Sequence, residues 1–194
     1  MRKIYLSTGN KSKVKEIKDI LKNLDFEIYS KADLGIYEDV EEDGSSLEEN
    51  SLIKARYLKT FTDDIVISDD TGLFVRALDL EPGIYSARYA GEHASDQENR
   101  EKLLKNLEGK EDRSAYFQTV ISLIDEEGKV YKAIGTLEGK IADHEIGDEG
   151  FGYDKLFIPH GYEVTLAQMS PQEKNAISHR HNALENLKKL LEEI

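Results

Sequence analysis

The chain has 194 residues, 39% hydrophobic and 34% charged, and its 26 basic against 39 acidic side chains leave a net charge of −13. That charge repels a nucleic-acid backbone and argues against a general DNA or RNA binder. The lack of cysteine excludes disulfides, thiolate nucleophiles and thiolate metal sites, and no apolar run approaches the roughly 20 residues needed to cross a bilayer.

An anionic substrate must therefore be drawn to a local cluster of Lys and Arg, helped by a metal ion. Met1-Arg2-Lys3 runs straight into a strand-like segment without the apolar stretch of a secretory signal, which predicts a cytoplasmic protein. Residues 2–7 read as a strand ending at the turn-prone Ser7-Thr8-Gly9-Asn10. Val14, Ile17, Leu21 and Leu24 then recur at helical steps between lysines. Phe26 to Tyr29 reads as a second short strand, and residues 38–44 as an acidic loop. A helix follows, with Ser46 and Glu49 spaced as a capping box.

Ile65-Val66-Ile67-Ser68 suits a short buried strand that ends abruptly at Asp69-Asp70-Thr71-Gly72. Residues 82–94 are irregular, and Ser95 with Glu98 caps a helix reaching about Leu107. Ala115 to Ile124 and Val130 to Ile141 flank Asp125-Glu126-Glu127-Gly128 as a hairpin. Ser170-Pro171-Gln172-Glu173 offers a cap, a first-turn proline and a capping-box glutamate. A last helix from about Ser178 should bury Leu184, Leu187, Leu190 and Leu191. Interleaved strands and helices around a long hairpin predict an α/β single domain over residues 1–194 with a mixed, twisted β-sheet flanked by helices.

Within that frame, polar segments carry the chemistry. Thr8-Gly9-Asn10-Lys11-Ser12-Lys13 leads from a strand into a helix, where free amides, hydroxyls and lysines make a phosphate cradle. The acidic loop with Glu41 and Glu42, followed by Lys54, offers carboxylates of the kind magnesium prefers, although taken alone a solvated acidic face is the better account of it. Asp69 and Asp70 leaving a buried strand could hold a metal and orient or deprotonate a water, against the plainer reading of an Asx turn. Gly150-Phe151-Gly152-Tyr153-Asp154 lets a flat ring approach backbone and stack, while Lys174, His179 and Arg180 offer donors to phosphate or a base carbonyl. Phosphate donors, magnesium ligands, a base for water and a ring platform together point to nucleotide hydrolysis, without fixing the bond or the base.

The ordered set of these segments, with Pro82-Gly83-Ile84-Tyr85-Ser86-Ala87-Arg88-Tyr89 and Glu173-Lys174-Asn175-Ala176-Ile177-Ser178-His179-Arg180, resembles the inosine triphosphate pyrophosphatases, the Ham1-like family acting on non-standard purine nucleoside triphosphates. The resemblance covers nearly the whole chain. It implies a site in a cleft between two lobes, a homodimer, and Mg2+-dependent hydrolysis of inosine, deoxyinosine and xanthosine triphosphates to monophosphate and pyrophosphate. It implies Asp70 as proton acceptor and metal ligand, with Asp69 beside it and Glu41, or its neighbour Glu42, completing the metal site. Thr8 to Lys13 and Thr71 would hold the triphosphate, assisted by Lys54. Phe151 to Asp154, Lys174, His179 and Arg180 would line the base and sugar end. Lys155 stands where the family often has proline. The rival readings are a Maf-like pyrophosphatase for modified nucleotides and a non-catalytic nucleotide-binding sensor. A pure binder has no need of paired acids beside a phosphate cradle.

Overall fold

Three runs carrying branched apolar residues, Arg2–Leu6 (β1), Phe26–Ser30 (β2) and Ile65–Val75 (β3), lie side by side in a computed structural model that describes residues 1–194, the side chain of Ser12 excepted. β1 pairs in parallel with both neighbours, Arg2 opposite Phe26 and Ile4 opposite Ile65. Parallel neighbours need crossovers, and helices supply them: α1 (Lys11–Leu21) links β1 to β2, and α2 (Leu47–Lys59) links β2 to β3. Beyond these come β4 (Pro82–Gly83), α3 (Asp96–Asn106), β5 (Ser114–Ile124), β6 (Val130–Ile141), β7 (Phe157–Pro159), α4 (Pro171–Ile177) and α5 (His179–Glu193). The strand order is β2-β1-β3-β5-β6-β7, with β4 against β3. The β3–β4 and β6–β7 pairs are antiparallel, so the sheet is mixed, as expected. Among the described residues no helix is long and apolar enough to cross a membrane.

Packing divides the chain into two compact units, neither of them one continuous stretch. The first comprises Met1–Asp70, Thr119–Gly135 and Asn182–Ile194, and the second Thr71–Gln118 and Thr136–His181. In the first unit the strands present apolar side chains on both faces, because alternate residues point opposite ways. Ile4, Leu6, Ile65, Ile67, Ile121 and Leu123 pack with Ile17 and Leu21 of α1 and with Leu184, Leu187 and Leu191 of α5. On the other face Val66 and Ile124 meet Ala55 and Leu58 of α2. Ser122 shares that face, its hydroxyl 2.6 Å from that of Ser51. The second unit has its own core of Leu73, Val75, Leu103, Leu107, Phe117 and Phe157.

Local signals set the helix starts. Ser95 with Glu98 and Ser170 with Glu173 form complete capping boxes, and Pro171 opens α4. At α2 only half of the expected box forms. The Ser46 hydroxyl accepts from the Glu49 amide, but the Glu49 carboxylate reaches past Ser46 to the Ser45 amide at 2.6 Å. Leu190 is only partly buried, at the margin of the first core. β7 is only three residues long, too short to leave a periodic signal in the sequence.

The main correction concerns β3. Asp69-Asp70-Thr71-Gly72 does not terminate the strand, which runs on to Val75. Leu73 and Val75 are fully buried, and each such side chain contributes about 1.5–3 kcal/mol relative to exposure. That outweighs the turn preference of Asp and Gly. Gly72 permits the continuation, since a Cβ there would lie 2.5 Å from the Gly83 carbonyl oxygen on β4. Gly72→Ala should therefore destabilise the protein by about 1–3 kcal/mol through overpacking against backbone. Thermal denaturation would read this as a drop of several degrees, and an unchanged midpoint would show that β4 yields freely.

Candidate active site

Parallel strands release their chains at one end of the sheet, and open α/β sheets bind ligands there. β1 is the first to do so. The Ser7 amide still donates to the Ile67 carbonyl of β3 at 2.9 Å, and the chain then turns into α1. The Thr8 hydroxyl accepts from the Asn10 amide at 3.1 Å, and the Asn10 side-chain oxygen accepts from the Lys13 amide at 3.2 Å, capping the helix. Beyond Ile67, β3 has no further β1 residue opposite it, so Asp69 and Asp70 extend past the end of β1. The strand is held there by the Ser68 hydroxyl, which donates to the Ser51 carbonyl of α2.

The acids are met by lysines. Lys13 Nζ lies 2.8 Å from Asp69 Oδ2, and Lys54 Nζ lies 3.1 Å from Glu42 Oε2 and 3.4 Å from Asp70 Oδ1. Burial works against the charge on Lys54, but the nearby Asp70, Glu42 and Asp69 outweigh it and hold the ammonium above its ordinary pKa. Lys13, Lys54, Glu42 and Asp69 line an open cavity of about 420 Å³ whose wall includes Thr8, Gly9, Asn10 and Lys31.

The first unit thus brings together Thr8, Gly9, Asn10, Lys13, Lys54 and Asp69 around one cavity, with Asp70 joined through Lys54. Lys11 is exposed on the first turn of α1 and does not line the cavity, and the Ser12 side chain lies outside the described residues. In the acidic loop Glu42 reaches the cluster, whereas Glu41 is exposed. Among the described residues no ion pair reaches Glu41, and no three acids or histidines converge as a ready-made metal cage. All the cluster's anionic donors are carboxylate oxygens, the ligands of a hard cation. Magnesium usually takes only one or two of them and completes its shell with phosphate and water.

The other predicted residues belong to the second unit. Thr71 follows Asp70 on β3. The Asp154 carboxylate is buried, accepts from the Phe151 amide at 3.0 Å and pairs with Lys174. Gly150 adopts φ +79°, and a Cβ there would run into that carboxylate, so the residue must be glycine. Lys174 Nζ sits 4.5 Å from the centroid of the Phe151 ring, which is 68% exposed. The ring was expected as a stacking platform, and its exposure leaves a face for one. The Tyr153 hydroxyl donates to the Ser86 carbonyl at 2.6 Å, and burial pushes its pKa far above the phenol range. His179 stacks on Phe117 at 4.9 Å, and Arg180 is half-buried beside it in sequence.

Two contributors escaped sequence reading. Asp96 and Arg100 of α3 hold the Gly152 peptide from both sides: its amide donates to Asp96 Oδ2 at 2.7 Å, and its carbonyl accepts from Arg100 at 2.8 Å. Arg100 is itself braced by Glu145 at 2.7 Å. In the sequence both look like ordinary residues of a charged helix.

The raised pKa of Lys54 gives a pH signature. The charged form favours folding, so its contribution is fully present below the ordinary value of 10.5 and is lost as pH rises through the higher folded-state value. Lys54→Gln should be less stable than the parent near pH 8, and the gap in denaturation midpoint should shrink as pH rises beyond 10.5. A gap that is absent at pH 8, or that persists undiminished at high pH, would contradict the pairing.

Comparison with known proteins places this architecture. The Ham1 family model matches residues 4–190. The dITP/XTP pyrophosphatase of Thermoanaerobacter pseudethanolicus is 53% identical over 188 residues, 96% of this chain and 94% of that protein. The dITP/XTP pyrophosphatase of Bacillus subtilis is 43% identical, with 99% of this chain and 98% of that protein covered. Among solved structures, a HAM1 protein from Coxiella burnetii superposes with a TM-score of 0.95 at 40% identity, covering 100% of both chains. The Staphylococcus aureus Ham1 protein gives 0.93 at 41% identity over 99% of each.

Proposed function

Because the chain belongs to the Ham1 family, we propose that it hydrolyses non-standard purine nucleoside triphosphates, those of inosine, deoxyinosine and xanthosine, to the monophosphate and pyrophosphate. The observation that carries this reading is the interleaving of Asp69, Asp70 and Glu42 with Lys13 and Lys54 beside the Thr8–Asn10 turn. Carboxylates and phosphate-binding groups in one cavity suit a metal–triphosphate better than either partner alone.

Water attacks the α-phosphorus in line. A new oxygen–phosphorus bond forms, the bond from the α-phosphorus to the bridging oxygen breaks, and Asp70 takes the proton from the water. The Thr8–Asn10 turn and Lys13 hold the phosphates, and Lys54 orients Asp70 while offsetting its charge. Thr71 adds a hydroxyl one residue on, with Lys11 and Ser12 completing the turn of α1. Asp70 and Glu41, with Asp69 beside them, would hold magnesium; Glu42 shares Lys54 with Asp70, whereas among the described residues no ion pair engages Glu41. Magnesium, when bound, supplies positive charge against the phosphate oxygens of the leaving pyrophosphate.

The family resemblance assigns base choice to the Gly150–Asp154 loop and to Lys174, His179 and Arg180. Phe151 offers the stacking face, with Gly152 and Tyr153 shaping the loop around Asp154. Lys174, His179 and Arg180 supply donors suited to the 6-oxo group of hypoxanthine or xanthine. Adenine presents an amino group there and would leave those donors unpaired. The activity goes with the nucleotide pool of the cytoplasm, and the family resemblance with a homodimer.

Pyrophosphate release from inosine, xanthosine, adenosine and guanosine triphosphates, with and without magnesium, tests the assignment. Fast magnesium-dependent release from the first two and little from the others is expected. Equal rates on all four would remove the purine discrimination, and binding without turnover would make the protein a sensor. Asp70→Asn should lower kcat at least about 100-fold, the lower end of general-base contributions, while KM moves little. Near-normal turnover in that variant would reassign the base.

A further inference from the structure

We propose that Lys31, a residue no motif marks, is a substrate-binding residue that grips the terminal phosphate; the proposal rests on the triphosphate reading of this cavity. Lys31 follows the last residue of β2 and is only 8% exposed. Burying an ammonium is costly unless a partner repays it. Its Nζ lies 2.7 Å from the Glu38 carbonyl oxygen and 2.6 Å from Asp39 Oδ1. The Asp39 side chain, however, is 95% exposed, and so well-solvated a partner returns little. Those contacts use two of the three ammonium protons. Lys31 also lines the cavity that Lys13, Lys54 and Asp69 share.

The sheet gives the position along the substrate. With the order β2-β1-β3, Asp70 sits on β3, the Thr8–Lys13 turn follows β1, and Lys31 follows β2. Lys31 therefore stands two strand spacings, about 10 Å, along the sheet from the strand bearing the proposed base. A triphosphate whose α-phosphorus lies at Asp70 and whose middle lies at the β1 turn extends its far end toward Lys31. On binding, the terminal phosphate takes the place of Asp39 on the ammonium, and the exposed carboxylate swings into water at little cost.

Calorimetric titration with inorganic tripolyphosphate and with inosine monophosphate, both with magnesium, tests this without turnover. Lys31→Gln should weaken tripolyphosphate binding about tenfold, the worth of one charge-assisted hydrogen bond, and binding of inosine monophosphate, which carries only the α-phosphate, by less than about twofold. Lys31→Arg should recover most of the loss. Asp39→Asn, on an exposed loop where folding is not at stake, should tighten tripolyphosphate binding by removing its competitor. Equal weakening of both anions by Lys31→Gln, or no change from any of the variants, would mean that Lys31 only anchors the acidic loop. A parent protein that binds neither anion would overturn the triphosphate reading itself, and the role of Lys31 with it.

Discussion

The neutralisation of strand-end carboxylates by lysines arriving from other elements is the constraint on which the site depends. Asp69 and Asp70 are adjacent on a strand, where successive side chains point to opposite faces, so each needs its own counter-charge. Lys13 from α1 answers one, and Lys54 from α2 answers the other while also holding Glu42. Each lysine can do this only because its helix is the crossover that the parallel pairing of β1, β2 and β3 demands. The topology that builds the first core therefore also delivers the counter-charges.

The second constraint is the unbroken course of β3. A turn at Asp69-Asp70 would leave the acids on a hinge. As strand residues they have fixed dihedral angles, with Ser68 tied to α2 before them and Leu73 and Val75 buried after them. The Gly150–Asp154 loop obtains comparable definition by other means. It is irregular, yet a buried carboxylate, a glycine with positive φ and the α3 side chains Asp96 and Arg100 fix its course.

What the sequence disclosed depended on how local the determining forces were. The boxes at Ser95 and Ser170 are decided within four residues, and both were legible. The phosphate turn and the acid pair were legible as chemistry, since few plainer roles require those residue types in that order. The continuation of β3 was not, because it is decided by Gly83 and by a core whose other members are distant in sequence. The prominence of Glu42 over Glu41 at the lysines could not be read from a loop, which has no period to say where a side chain points. Lys31 and Arg100 were invisible for a related reason. Their surroundings look like a strand end and a charged helix, and only register brings Arg100 to the carbonyl of Gly152, far along the chain.

The pairing of lysines with acids has a consequence for how fast a substrate arrives. A cleft lined with unopposed lysines would project a positive field and draw polyanions in, faster at low salt. Here Lys13, Lys31 and Lys54 are each matched by at least one carboxylate, so the mouth projects almost none, while the protein as a whole carries −13. An approaching triphosphate feels that repulsion mainly within a Debye length, about 8 Å at physiological ionic strength. Added salt weakens that repulsion more than it weakens any attraction. Capture by this protein is therefore a slow, unsteered encounter that moderate salt accelerates, the reverse of an enzyme that fishes for its substrate electrostatically.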